Sequence, residues 1–121
     1  MMRRYDSYLE RLENSIPHLS AAEAQQSAYH GAVLIDVREP DEFAAAHIPG
    51  AINLPRFRLE SRIEEVVPDP QARIIVYCGS RGRSTIAAAT LREMGWDAAV
   101  LRGGLQAWEA AGLPVKVEPS L

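Results

Sequence analysis

Cysteine occurs once in this sequence, at Cys78, and lysine once, at Lys116. A lone thiol excludes an internal disulfide, so the chain must be held together by its own apolar core. Histidine is scarce as well. His18, His30 and His47 are scattered, and with one cysteine they make a poor metal set. The expectation is therefore that no metal or organic cofactor is used. Aromatic residues are only 7% of the chain, and neither Trp96 nor Trp108 has a basic cluster beside it. That argues against a stacking platform for nucleic acid and for tryptophans that pack in the core. The net charge of −3 and pI of about 5.6 supply no general attraction to nucleic acid or anionic membranes. Long apolar runs are missing too: none approaches the roughly 20 residues that span a bilayer. The arginines of "MMRRYDSYLE" are not followed by a continuous apolar segment, as a secretory signal would be. A soluble protein of the reducing cytoplasm is expected.

What remains is ample for one domain. The 121 residues are 47% hydrophobic, enough to close a single core without staples. Tyr5, Tyr8, Leu9, Leu12 and Ile16 recur at three-and-four spacing, which predicts an amphipathic helix within a 1–19 extension. The main domain is expected over 20–121. Ser20 and Glu23 have capping-box spacing, and Gly31 can end the helix they open, over about Ala21–His30. "AVLIDV" and "RIIVY" are apolar, branched runs suited to strands buried on both faces, and "AINL" and "AAVL" read as shorter strands. Between them Pro40 opens a short helix to Ala46, and "FRLESRIEEVV" has helical spacing from Phe57 to Val67. Ser84 can cap "TIAAATLREM", which Gly95 stops, and "GLQAWEAA" forms a last helix. Strands alternating with helices imply right-handed crossovers and a mainly parallel sheet.

Ligands of such sheets bind at the carboxyl ends of the strands, and Cys78 directly follows "RIIVY" in the stretch "YCGSRGRST". A nucleophilic cysteine acts as a thiolate, which must be stabilised near neutral pH. The helix starting near Ser84 points free amides and a positive dipole end at the loop. Gly79 and Gly82 can adopt positive φ and turn consecutive N–H groups inward as an anion nest, and Arg81 and Arg83 add positive charge. The plainer reading is an inert strand-end cysteine before a glycine turn.

"YCGSRGRST", the following "AAATLREMGWDAAVLRGGLQAWEAAGLP" and the earlier "LIDVREPDEFAAAHIPGAINLP" together resemble the rhodanese domain of sulfurtransferases, from about Ser20 to Pro114. The resemblance implies a three-layer α/β/α fold with a mainly parallel five-stranded sheet. It implies that Cys78 accepts a sulfane sulfur as a persulfide, with a cradle of Gly79, Ser80, Arg81, Gly82 and Arg83 binding the substrate and Ser84 opening the next helix. Asp36 and Arg38 match the "DVR" of the family, and Glu42, His47, Pro49 and Gly50 match its sequel; these read as architecture. The implied partners are a small donor such as thiosulfate and an acceptor that is cyanide, a thiol or a protein. In one respect the loop departs from the family pattern. Arg81 occupies the usual glycine place and Gly82 follows it, so either positive φ moves to Gly82 or Arg81 adopts it.

Other readings stay open at this point. Relatives that resemble dual-specificity phosphatases and arsenate reductases carry five residues between cysteine and arginine, whereas four separate Cys78 from Arg83, which favours sulfur over phosphate. The same fold can also serve as a regulatory, redox-sensing or sulfur-carrying module for a dedicated partner. His47 could act as a general base, but "AAHIPGA" reads better as a helix end turning into a strand. Asp36, at a strand end, is expected to pair with Arg38 or a loop arginine.

Overall fold

The computed structural model describes residues 2–79 and 81–118. Among them, five strands form one parallel sheet: β1 (His18–Leu19), β2 (Val33–Asp36), β3 (Ile52–Asn53), β4 (Arg73–Tyr77) and β5 (Asp97–Leu101). Their spatial order is β1-β5-β4-β2-β3, which puts β4 in the centre. Around the sheet lie α1 (Arg4–Ser15), α2 (Ala21–Tyr29), α3 (Pro40–Ala45), α4 (Leu59–Val66), α5 (Arg83–Glu93) and α6 (Gly104–Ala110). The three layers and the parallel sheet are those expected.

Side chains of a strand alternate between faces, so β4 feeds two separate cores. Ile74, Val76 and Cys78 face one layer with Leu59 and Ile63 of α4, Ala87, Ala88 and Leu91 of α5, and Ile16 just after α1. Ile75 and Tyr77 face the other, with Ala21 and Ala24 of α2 and Leu105 and Trp108 of α6. Ile74, Ile75 and Val76 are fully buried, and each such side chain contributes about 1.5–3 kcal/mol. The register aligns Asp36 with Tyr77 and Val76 with Val100, so β2, β4 and β5 release their chains at one edge of the sheet. The loop holding Cys78 leaves from the middle of that edge.

Local signals account for much of this. Ser20 Oγ accepts from Glu23 N while Glu23 accepts from Ser20 N, so the capping box at α2 is present. Gly31 and Gly95 adopt φ of +101° and +102° after α2 and α5. Tertiary contacts override the sequence pattern in three places. "FRLESRIEEVV" breaks into a 3-10 turn at Arg56–Arg58 and then α4, leaving Phe57 68% exposed rather than on the buried stripe. β1 carries no strand pattern, and its two residues are extended because they pair with Val100 and Leu101 of β5. On α1, Leu9 is buried and Leu12 packs against the core, while Tyr5 and Tyr8 stay largely exposed.

Candidate functional site

Cys78 is 1% exposed and immediately follows β4. Five residues later the chain enters α5, whose N-cap is Gly82 with φ +99°. Among the described residues no side chain other than glycine takes positive φ, so the conformational demand that Arg81 would otherwise meet falls on Gly82. A Cβ on Gly82 would also lie 2.6 Å from the Tyr5 hydroxyl of α1. Gly79 behaves differently from expectation. It does not take positive φ, and a Cβ there would meet only the Arg83 guanidinium, at 3.9 Å. Ser80, the remaining cradle residue, lies outside the described residues.

Ser84 also differs from its expected role. It is not the cap of α5 but sits in its first turn, buried, with Oγ 3.2 Å from Cys78 Sγ. The thiol and the hydroxyl share a hydrogen bond, so the first turn of a helix, where amides lack intrahelical partners, adjoins the sulfur.

The two loop arginines point to different neighbours. Arg83 donates in bidentate fashion to Glu42 of α3, at 2.8 and 3.2 Å. The Arg83 hydrogen bond, then the Glu39 amide, hold the Glu42 carboxyl down at about 2. Arg83 is correspondingly raised by its hydrogen bond to Glu42. Arg81 turns outward to Glu13 of α1, with Nε and Nη2 both donating to Oε1, the former at 3.1 Å. Glu13, Arg81 and Ser84 line one groove of about 190 Å³ beside the loop. A larger cleft, about 360 Å³, is bounded by Val67, Pro68, Met94 and Trp96 past the far end of α5, with Glu64 also in its lining.

Behind the loop, α6 does what the sequence did not reveal. Leu105 N donates to Cys78 O at 2.9 Å and Gln106 N to Gly79 O at 3.1 Å, so the start of α6 fixes the backbone that carries the thiol. Gly104 makes this approach possible: it has φ +58°, and a Cβ there would be 2.8 Å from Gly79 O. The doublet Gly103–Gly104 was the available signal.

Of the residues read as architecture, Glu42 is brought to the loop by Arg83, and the others sit in a separate network. Asp36 and Arg38 are both buried, with Arg38 Nη2 2.8 Å from Asp36 Oδ2 and 2.6 Å from the Ala46 carbonyl. Asp36 therefore pairs with Arg38 and not with a loop arginine. His47 Nδ1 lies 2.8 Å from Phe43 O, its Nε2 3.5 Å from Glu118, and its ring stacks on Phe43 at 3.7 Å. Both ring nitrogens are engaged at the end of α3, consistent with a helix-ending residue. Tyr77, unremarked in the sequence, accepts from Ile48 N at 3.1 Å through its hydroxyl and so anchors the "HIPGA" turn to β4. Burial, then the charge of Asp36, pushes its phenol well above the usual range.

Comparison with known proteins adds to this geometry. A family profile described as the rhodanese-like domain matches residues 20–111. The chain belongs to that family. This rhodanese-like chain is 38% identical over 84 residues to a sulfurtransferase of Allochromatium vinosum, covering 69% of this chain and 77% of that protein. It is 36% identical over 93 residues to the thiosulfate sulfurtransferase GlpE of Ectopseudomonas mendocina, covering 76% and 84% respectively. Among solved structures, a thiosulfate sulfurtransferase from Pseudomonas aeruginosa superposes with a TM-score of 0.85 at 34% identity, over 96% of this chain but 23% of that one. The rhodanese profile begins at residue 20, so α1 lies outside it.

Proposed function

We propose that this rhodanese-like chain is a sulfurtransferase that carries a sulfane sulfur as a persulfide on Cys78. The observation that carries the reading is the seat of the sole thiol: the carboxyl end of the central strand, against the first turn of α5, with Ser84 Oγ 3.2 Å away and α6 holding its carbonyl. Such a position suits a sulfur that bears negative charge in both halves of a transfer cycle.

In the first half-reaction the Cys78 thiolate attacks the outer sulfur of a donor such as thiosulfate. The donor S–S bond breaks, its electron pair leaves with sulfite, and Cys78 becomes a persulfide. In the second half-reaction cyanide or a thiolate attacks that outer sulfur. The Cys78 thiolate departs with the electron pair, leaving thiocyanate or an organic persulfide. In this reading Gly79, Gly82 and Ser84 cradle the sulfur, Arg81 and Arg83 stand at the rim paired with Glu13 and Glu42, and the chemistry calls for no cofactor. Two separate half-reactions require ping-pong kinetics. A cytoplasmic setting suits a chain whose one thiol must stay reduced.

Intact mass spectrometry tests this directly. Thiosulfate should add the mass of one sulfur atom, an acceptor should remove it, and Cys78→Ser should abolish the increment and thiocyanate production together. Thiocyanate formation by the serine variant at the wild-type rate would overturn the assignment. A mass increment that no small acceptor discharges would replace turnover by a sulfur-carrier role.

A further inference from the structure

We infer that Glu13 of α1 is a positioning residue that sets donor selectivity at the Cys78 site, by holding Arg81 away from anionic donors in favour of donors of lower charge. The inference rests on the sulfurtransferase reading for its substrate class, but its physical content is electrostatic and can be read without sulfur transfer.

Three observations converge. First, α1 precedes the rhodanese-like profile yet is built onto the persulfide loop: Leu9 is buried, and the Tyr5 hydroxyl occupies the space that a side chain on Gly82 would need. Second, the Arg81 guanidinium in the loop is committed to Glu13, with Asp6 of the same helix adding to the negative field around it. Third, Glu13, Arg81 and Ser84 line the same groove, and Ser84 touches the reactive sulfur. An anion entering by that groove meets an arginine whose charge is already compensated. The other loop arginine, Arg83, is compensated in the same way by Glu42.

The size of the effect follows from exposure. The Arg81 and Glu13 side chains are 53% and 31% exposed, so the pair is a partly solvated one that opens readily and is screened by salt. Exposed pairs are worth up to a factor of about five in an equilibrium, which bounds the gain that an anion obtains when Glu13 is neutralised.

The experiment compares Glu13→Gln, Arg81→Gln and the double variant. Cys78 is alkylated with iodoacetate and with iodoacetamide, an anionic and a neutral reagent with the same leaving group. At low ionic strength Glu13→Gln should raise the iodoacetate-to-iodoacetamide rate ratio about two- to fivefold. The rise should vanish at high salt and in the Arg81→Gln background, and Glu13→Asp should keep the wild-type ratio. With thiosulfate, KM should fall by a similar factor while kcat is unmoved, the signature of altered uniform binding. An unchanged ratio in Glu13→Gln, or a rise that persists in the double variant, overturns the inference. Should the ratio move as stated while no variant takes up sulfur, the steering by Glu13 stands and the sulfurtransferase reading falls. Sulfur uptake with a fixed ratio does the reverse.

Discussion

Replacing Gly104 by alanine should disable the Cys78 loop from the opposite side of the sheet. The residue has φ +58°, in the left-handed region that costs a side chain about 1–2 kcal/mol. The added methyl would also lie within 3 Å of the Gly79 carbonyl carbon and oxygen and would collide with the Cys78 carbonyl. These neighbours are backbone atoms and cannot rotate aside, so α6 and the loop must separate. Separation stretches the hydrogen bonds from Leu105 N to Cys78 O and from Gln106 N to Gly79 O, worth about 1 kcal/mol each. The expected loss is about 3–4 kcal/mol, against about 1–2 kcal/mol for Gly112→Ala, which has φ +76° but no atom within 4 Å of the new methyl. Urea titrations of the two variants measure the difference. Because the loop carbonyls move with the thiol, sulfur uptake by folded Gly104→Ala should slow about a hundredfold, as an ångström of misplacement commonly costs. Equal destabilisation by the two substitutions, or wild-type uptake in Gly104→Ala, would refute the reasoning.

Two further outcomes follow from the network around the loop. The folded-state pKa of Glu42, about 2, lies below its ordinary value of 4.5, so its contribution to stability is full above pH 4.5 and is lost as pH falls towards 2. Glu42→Gln should therefore flatten the fall of the urea midpoint across that window, and a parallel profile for both proteins would contradict the Arg83 pairing. His47→Gln should lower the melting temperature while leaving kcat for thiosulfate near wild type, because both ring nitrogens are engaged at Phe43 and Glu118. A hundredfold loss of kcat with the fold intact would make His47 a general base instead.

The parts of the fold that were legible are those whose determinants are local. "RIIVY" and "AVLIDV" are strands because branched apolar residues on both faces leave few other options, and α2 begins at Ser20 because its partner Glu23 lies three residues on. The place of Cys78 at a strand end was visible for the same reason. What stayed hidden is held by pairs far apart in sequence. β1 exists only through β5, Arg81 finds Glu13 across 68 positions, and Arg83 finds Glu42 across 41. No periodicity encodes such partners. Phe57 shows the converse error: its spacing fits the buried face of a helix, but the 3-10 turn rotates it into solvent.

Those hidden pairs also bound the loop that carries Cys78. At one end α6 amides hold the carbonyls of Cys78 and Gly79, and at the other the Arg83 guanidinium at the start of α5 pairs with Glu42. Between these ends Gly82 takes the positive φ while Arg81 stays on the negative side. The arginine side chain is then carried towards α1, where Glu13 receives it. Arg81 and the helix that precedes the rhodanese-like profile thus meet in one ion pair beside the loop.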